Sequence, residues 1–206
     1  LNNDELSDLF KVSNVGGMRW SSAHNCLVIV ADHTKSLYDD RWEGDVLLYT
    51  GMGRSGDQTL TGQNGRLARD NTTVHLFEVF KPNVYIYAGN VIRAGEIREE
   101  RQPDDQHNDR RVYVFPLRLL NGGERPIPEP RDVEKIRARR ERTFNNLSME
   151  ELKRRAESAG RQTPARQPTI GSQIERNEAI AVYVKRLANG KCDLCRQTAP
   201  FSTKNG

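Results

Sequence analysis

The sequence predicts an α+β fold in which a curved, barrel-like β-sheet is packed with helices. One observation is a series of short runs rich in β-branched and aromatic residues, separated by Gly, Asn, Asp and Pro, which is typical of strands. The other is the last third of the chain, where capping residues precede apolar residues at helical spacing. The predicted strands are residues 26–30, 46–49, 74–80, 85–88 and 112–119.

Two further helices are expected beside the predicted sheet. Residues 3–11 carry apolar side chains at helical spacing, with Asn3 or Asp4 as the N-cap. Residues 58–69 lack proline and have leucine and alanine where a helix across the mouth of a barrel would bury them. Both helices would cover apolar parts of the sheet.

The later part of the strand-rich region is interrupted twice. Residues 96–111 are charged and contain little apolar content, so we expect a solvated hairpin loop. Pro116 has no backbone N–H to donate, and it therefore predicts a sheet edge or a bulge in the last strand.

The composition changes at residues 121–123, where Asn-Gly-Gly is followed by three prolines, and we place a domain boundary there. The predicted organisation is a domain at 1–120, a basic helical linker at 121–172 and a third segment at 173–206.

The C-terminal third shows three helical patterns. Residues 132–144 form a basic helix, and Ser148 with Glu151 makes a capping box for the next helix. Residues 161–172 contain two prolines and predict a flexible linker, after which a third helix covers about 174–188.

Charge is unevenly distributed along the 206 residues, which carry a net charge of +4. Residues 1–130 hold 15 Lys and Arg against 19 Asp and Glu, whereas residues 131–166 hold 11 against 6. A nucleic acid bound by the first segment must therefore be recognised by local chemistry rather than by general attraction to phosphate.

Nothing in the sequence predicts a membrane protein or a secreted one. No run of about 18 apolar residues and no signal-peptide pattern is present. The three cysteines, one alone and two in a C-x-x-C pair, suit a reducing compartment. We expect a cytoplasmic protein.

A cluster of polar and aromatic residues lies on both sides of the second predicted strand. Residues 38–45 contain a tyrosine, a tryptophan and several carboxylates, and residues 49–53 read Tyr-Thr-Gly-Met-Gly. Aromatic rings stack on a planar polar ring, a carboxylate accepts from its amino group, and glycines allow close approach of the backbone. Without further information, solvated turn carboxylates and core tyrosines would explain the same residues.

The order of these residues resembles the SRA (SET- and RING-associated) domain, a PUA-like module that recognises modified cytosine. The matching positions are Tyr38, Asp39, Asp40, Gly44, Tyr49, Thr50, Gly51, Met52, Gly53, Asp57, Gln58, Leu60, Asn64, Leu67 and Ala68. The resemblance covers roughly residues 15–120. It implies binding of double-stranded DNA and flipping of one 5-methyl- or 5-hydroxymethylcytosine into a pocket.

The resemblance also implies the residues of that pocket. Tyr49 would stack on one face of the base, with Tyr38 or Trp42 on the other. Asp40 would accept from the exocyclic amino group, although the spacing leaves Asp39 as an alternative.

Further contacts are implied beyond the two base faces. Thr50 and Gly51 would border the 5-position, and the expected DNA contacts are Arg19, Arg54 and Gln58. The loop 54–56 is too short to reach the opposite strand, so specificity for hemimethylated DNA is not expected.

Cys192 and Cys195 form a C-x-x-C pair that suits two ligands of a structural zinc. With the residues around them, they resemble the opening of an HNH endonuclease domain of the McrA type. This implies a prokaryotic, modification-dependent restriction endonuclease that is homodimeric and uses a divalent metal such as Mg²⁺. The paired histidines of such a domain do not follow in this sequence, so the chain alone should not cut DNA.

Two alternatives remain open. The chain could be a non-catalytic reader of modified DNA or RNA from the same PUA-like superfamily. In the second alternative, His33, Asp39 and Asp40 form a metal-dependent catalytic site, although their spacing does not favour one.

Overall fold

The computed structural model describes residues 1–35, 37–120, 123–159, 166–169, 171–174, 177–192 and 194–198. Its helices are α1 (Asn3–Phe10), α2 (Gly62–Leu67), α3 (Pro130–Asn145), α4 (Met149–Ala159) and α5 (Glu178–Ala188). Its strands are β1 (Met18–Ser21), β2 (Cys26–Asp32), β3 (Arg41–Glu43), β4 (Val46–Thr50), β5 (Thr73–Lys81), β6 (Val84–Arg93), β7 (Arg98–Pro103), β8 (Asp109–Leu119), β9 (Arg166–Thr169) and β10 (Gly171–Ile174).

These elements divide into two compact units. The first comprises Leu1–Ile136 with Gln167–Ser172, and the second comprises Arg137–Arg166 with Gln173–Gly206. No helix in the described part of the chain is both long and apolar enough to cross a membrane.

The first unit is built on one mixed sheet of eight strands. The strand order is β1-β2-β5-β6-β8-β4-β3, and β7 also pairs with β8. Strands β2 and β5 are parallel, while the remaining pairs are antiparallel. The predicted α+β class is confirmed, but the path of described strands stays open and does not close into a barrel.

Strand β2 lies inside the sheet and is buried on both faces. Leu27 and Ile29 pack in the main core, whereas Val28 and Val30 pack with Leu6 of α1 on the opposite face. A strand covered on both sides needs a continuous apolar run rather than alternation, as residues 26–31 provide.

Helix α1 is confirmed close to its predicted bounds. Its N-cap is Asn2 rather than Asn3 or Asp4, because the Asn2 side chain accepts from Asp4 and Glu5 N–H groups at 2.9 Å. The Glu5 carboxylate accepts from the Asn2 N–H in return, at 2.8 Å, which completes a capping box.

Helix α2 is shorter than the predicted helix over 58–69. Thr61, directly before it, has an extended backbone, and the Gln58 N–H donates to the Arg111 carbonyl at 3.0 Å. The backbone at Gln58 thus pairs with β8 instead of forming the first turn of a longer helix. Helix α2 begins only at Gly62.

The hairpin predicted at 96–111 is present, but it consists of two paired strands rather than a solvated loop. Strands β7 and β8 form a hairpin there, in which Arg101 and Asp109 make an ion pair at 2.6 Å. The turn is ordered by Asp104, whose side chain accepts from the N–H groups of Gln106 and Asn108 at 2.8 Å. Cross-strand polar pairs stabilise this hairpin in place of apolar ones.

Pro116 lies in the middle of the sheet rather than at an edge. On one side of β8 the partner changes at this residue, from β6 at Leu117–Leu119 to β7 at Asp109–Val114. Proline has no N–H to donate. It is tolerated here because neither β6 nor β7 pairs with residue 116. The Pro116 carbonyl still accepts from Ala94 at 2.8 Å.

The second unit is helical. Leu147, Leu152, Ala179 and Val182 form its buried cluster, in which α4 packs on α5. The Ser148 hydroxyl accepts from the Glu151 N–H at 3.1 Å, as the predicted cap requires. The expected linker at 161–172 contains β9 and the start of β10, and the third helix begins at Glu178; Gly160 and residues 161–165 lie outside the described residues.

Candidate nucleic-acid interface

The end of β4 is the centre of the candidate site. Side chains alternate along a strand, so Leu47 and Tyr49 face the main core while Leu48 and Thr50 face the other side. The chain then leaves the sheet through residues 51–53. The predicted pocket residues are therefore divided between two faces of β4.

Asp40 is bound to the end of this strand. Its carboxylate is 6% exposed and accepts from the Thr50 N–H at 2.7 Å. Asp39 has an exposed side chain that pairs with Arg41 at 3.2 Å. Of the two predicted carboxylates, Asp40 is the buried one.

The turn after β4 is held by two buried amides. Gln58 donates to the Gly51 carbonyl at 2.5 Å and accepts from the Tyr113 N–H at 2.9 Å, which ties the turn to β8. Asn64 accepts from the Met52 N–H at 2.7 Å and donates to the Met52 carbonyl at 2.9 Å. These bonds fix the backbone of the turn next to which a base would lie.

Tyr38 lies beside this turn. Its hydroxyl donates to the Gly53 carbonyl at 3.1 Å, and the ring is half-buried. The guanidinium of Arg110 also donates to the Gly53 carbonyl, and its Cζ lies 5.9 Å from the centre of the Tyr38 ring. Tyr38 and Asp40 are thus brought to one short segment, 50–53.

Tyr49 and Trp42 occupy the main core instead. The Tyr49 hydroxyl donates to the Gly17 carbonyl at 2.9 Å, and burial raises the pKa of this phenol well above its usual value. The Trp42 indole donates to the fully buried Glu78 carboxylate at 3.2 Å. In this conformation both rings support the sheet from the core side.

The three predicted DNA contacts have different environments. Arg19 is 5% exposed and donates to Gly16 and Asn3 at 2.8 Å. Gln58 is buried in the turn after β4. Of the three, Arg54 has the exposed side chain, at 76%, and it lies 3.4 Å from Asp105.

Two residues of this region were missed from the sequence. Gln102 of β7 and Arg110 of β8 are buried cross-strand partners, and the Gln102 amide donates to the Thr50 hydroxyl at 3.3 Å. The alternation of Arg110 with Val112 and Val114 is a strand signal. It was masked by the surrounding charges.

The cysteine pair lies in a turn of the second unit. Cys192 and Cys195 are exposed and form no disulfide, and the Arg196 N–H donates to the Cys192 carbonyl at 2.8 Å. Two thiols fit half of a tetrahedral zinc site. Across the described residues, no group of three or more His, Cys, Asp or Glu side chains is placed to hold a metal, so a site at His33, Asp39 and Asp40 has no support there.

Comparison with known proteins places the first unit in a family. The family model described as "ScoMcrA-like, SRA domain" matches residues 2–136. No curated protein sequence matches the chain.

Solved structures are similar in fold. "Sulfur binding domain and SRA domain of ScoMcrA complexed with phosphorothioated DNA" aligns with 20% identity and a TM-score of 0.50, over 66% of this chain and 42% of that one. "Structure of the Type IV phosphorothioation-dependent restriction endonuclease ScoMcrA" aligns with 17% identity and a TM-score of 0.54, over 100% of this chain and 50% of that one. The chain thus spans half the length of that endonuclease. "Crystal structure of SUVH5 SRA- methylated CHH DNA complex" aligns with 24% identity, over 61% of this chain and 89% of that one, with a TM-score of 0.46.

We predict that Gly51→Ala destabilises the first unit. An added Cβ would lie 2.6 Å from Gln58 Oε1 and 3.1 Å from the Tyr113 carbonyl, and Gln58 cannot retreat without losing its two bonds. The free energy of unfolding should fall by about 1–3 kcal/mol, as for other overpacked sites. Urea unfolding measures it. The control is Gly95→Ala, whose Cβ would have its nearest neighbour at 4.0 Å; equal losses in both variants would refute the explanation.

Tyr49 should make stability depend on alkaline pH. Because burial raises the pKa of the folded-state phenol above the value of about 10 in an unfolded chain, its contribution is complete below about pH 10 and is lost as the pH rises toward the folded-state pKa. Tyr49→Phe lacks this titration. Urea unfolding from pH 8 to 11 should show the wild type losing stability relative to Tyr49→Phe above pH 10, and parallel curves would contradict the prediction.

Proposed function

Because the chain belongs to the ScoMcrA-like SRA-domain family, we propose that it binds double-stranded DNA and recognises a 5-modified cytosine flipped out of the duplex. The fold similarity to the sulfur-binding and SRA domains of ScoMcrA, which are complexed with phosphorothioated DNA, supports the DNA part of this proposal. The cytosine modification, 5-methyl or 5-hydroxymethyl, is carried over from the SRA resemblance.

The proposal rests on the positions of Tyr38 and Asp40, which are hydrogen-bonded to Gly53 and Thr50 respectively. An aromatic ring and a carboxylate lie next to a backbone segment that two buried amides hold in place. Such a site can stack a base and accept a hydrogen bond from its amino group. Tyr38 is the stacking residue that we favour, because its ring is only half-buried whereas Tyr49 and Trp42 are buried in the core.

The energies are consistent with base flipping. Stacking on an aromatic ring contributes about 1–3 kcal/mol, which offsets much of the few kcal/mol needed to unstack a base. Burial of one extra methyl group adds only about 0.8 kcal/mol, or roughly fourfold in affinity. The shape of the site must therefore contribute to discrimination between modified and unmodified cytosine.

We expect duplexes that differ only at one cytosine to bind with different affinities. The 5-methyl and 5-hydroxymethyl duplexes should bind at least about fourfold more tightly than the unmodified one. Tyr38→Ala should weaken binding of the modified duplex by roughly 5- to 150-fold, the loss of one stacking contact. Fluorescence anisotropy measures affinity, and 2-aminopurine beside the target base reports unstacking.

Matched controls define what would contradict this prediction. Asp40→Asn keeps an oxygen for the Thr50 N–H but removes the negative charge, so the fold should persist while binding weakens. Equal affinity of the wild type for modified and unmodified duplexes would exclude the base pocket. A preference for a phosphorothioate linkage over 5-methylcytosine would point to recognition of the DNA backbone instead.

We also propose that the chain is part of a modification-dependent HNH endonuclease. Cys192 and Cys195 would supply two thiolate ligands of a structural zinc, and a divalent metal such as Mg²⁺ would activate water elsewhere in the nuclease domain. A homodimer would bring two active sites to the two strands. The fold similarity to the ScoMcrA endonuclease supports this context; a non-catalytic DNA or RNA reader is the alternative.

The zinc proposal is tested on the complete protein that contains this chain. Elemental analysis should find one structural zinc per protomer, and Cys192→Ser with Cys195→Ser should remove it, because each loses a thiolate ligand. Cys26→Ala is the control, since Cys26 is buried in the first unit and should not affect zinc. Unchanged zinc content in the double variant would contradict the assignment, and cleavage of modified DNA that requires Mg²⁺ would separate a nuclease from a simple reader.

A further inference from the structure

Arg110 is a buried cation with unused hydrogen-bond donors. Its side chain is 1% exposed, and Nη1 donates to the Gly53 carbonyl at the end of the site. Nε and Nη2 have no hydrogen-bond partner among the residues that the structure describes. Unpaired donors on a buried charge are costly, so their persistence beside a binding site points to a ligand.

The two unused donors form one recognition element. In a guanidinium, the Nε–H and one Nη2–H are parallel and point to the same side, which suits two adjacent acceptor atoms. The bond from Nη1 to Gly53 holds this fork in position. Arg110 is therefore set to bind a pair of neighbouring acceptors.

Gln102 lies directly across from Arg110 on β7 and adds an acceptor. Its Nε2 faces Glu100 at 3.4 Å and the Thr50 hydroxyl at 3.3 Å. Since the Glu100 carboxylate can only accept and is paired with Arg41 at 2.7 Å, the amide nitrogen is the atom turned toward it. Gln102 Oε1 is left buried and without a partner in the described part of the chain.

Together these side chains present two donors and an acceptor, which matches the hydrogen-bonding edge of cytosine. Cytosine offers O2 and N3 as adjacent acceptors and the 4-amino group as a donor. Thymine presents N3–H and O4 at the last two positions, so it would place donor against donor and acceptor against acceptor. The second hydrogen of the cytosine amino group remains for Asp40.

We propose that Arg110 binds O2 and N3 of the flipped cytosine and that Gln102 accepts from its amino group. This inference rests on the proposed function and names the residues that identify the ring as cytosine, independently of its 5-substituent. The Tyr38 ring lies next to the guanidinium, with its centre 5.9 Å from Arg110 Cζ. Binding then requires Tyr38 to move from this position onto the face of the base.

The test compares 5-methylcytosine with thymine, each opposite guanine in the same duplex. Both bases carry the 5-methyl group, and the mismatched thymine is easier to flip, so weaker binding of thymine reports the ring edge alone. The wild type should prefer 5-methylcytosine by about tenfold or more, the effect of a good paired contact. Arg110→Met and Gln102→Met should reduce this ratio toward one.

Stability measurements separate recognition from a structural function. Arg110→Met removes a buried charge with unused donors, so its melting temperature should equal or exceed that of the wild type. Arg118→Met is the matched control on the same strand, because it removes an exposed arginine paired with Asp45 and should leave the ratio unchanged. If Arg110→Met fails to fold, Gln102→Met decides the test.

Specific outcomes would overturn the inference. A folded Arg110→Met or a Gln102→Met that keeps the wild-type ratio contradicts it, and so does an equal loss of affinity for every duplex, which would identify a phosphate contact. Failure of the proposed function would give a distinguishable result. The wild type would then bind the unmodified and the 5-methylcytosine duplex with equal affinity, independently of the results for the Arg110 and Gln102 variants.

Discussion

The candidate site depends on the position of strand β8 between three partners. It pairs with β4 along one side and with β6 and β7 along the other. This arrangement places Arg110 and Tyr113 against the turn that follows β4, where the Gly51 N–H donates to the Tyr113 carbonyl at 2.7 Å. Without that pairing, neither the turn nor the buried amide of Gln58 would have a fixed position.

The two faces of β4 place polar atoms in different environments. On the core side, the Tyr49 hydroxyl donates to the Gly17 carbonyl and the Trp42 indole N–H donates to the Glu78 carboxylate. The polar atom of each ring therefore has a hydrogen-bond partner within the protein. On the other side, the donors of Arg110 and the acceptor of Gln102 have no partner within the described residues. Buried polar atoms without a partner require an explanation, and the polar ligand proposed above would supply one.

Patterns with a local cause were predicted well. Strands β2, β4, β5 and β6 follow from runs of β-branched and aromatic residues, and α1 follows from an amphipathic pattern with a nearby cap. Membership of the SRA family was likewise visible in the order of Tyr38, Asp40, Tyr49, Thr50 and Gly51, and the match over residues 2–136 confirms it. Such patterns suffice because each depends on neighbours in the chain.

Features that depend on distant partners were not predicted. The charged hairpin of β7 and β8 looked like a loop because cross-strand ion pairs, such as that of Arg101 with Asp109, exist only once the strands meet. The shortening of α2 and the internal position of Pro116 have the same origin, since both follow from which strand lies beside β8. Long-range pairing leaves little trace in local composition.

The sequence by itself determined the fold class and the family, and it predicted the segment around residues 38–53 as the candidate site. Only the tertiary structure decided the environments of the residues in this segment: Tyr49 and Trp42 lie in the core, Asp40 accepts from the Thr50 N–H, and Tyr38 lies beside Arg110. The reason is physical. A motif records which side chains are close along the chain, whereas the burial and pairing of a polar atom depend on strands more than fifty residues away.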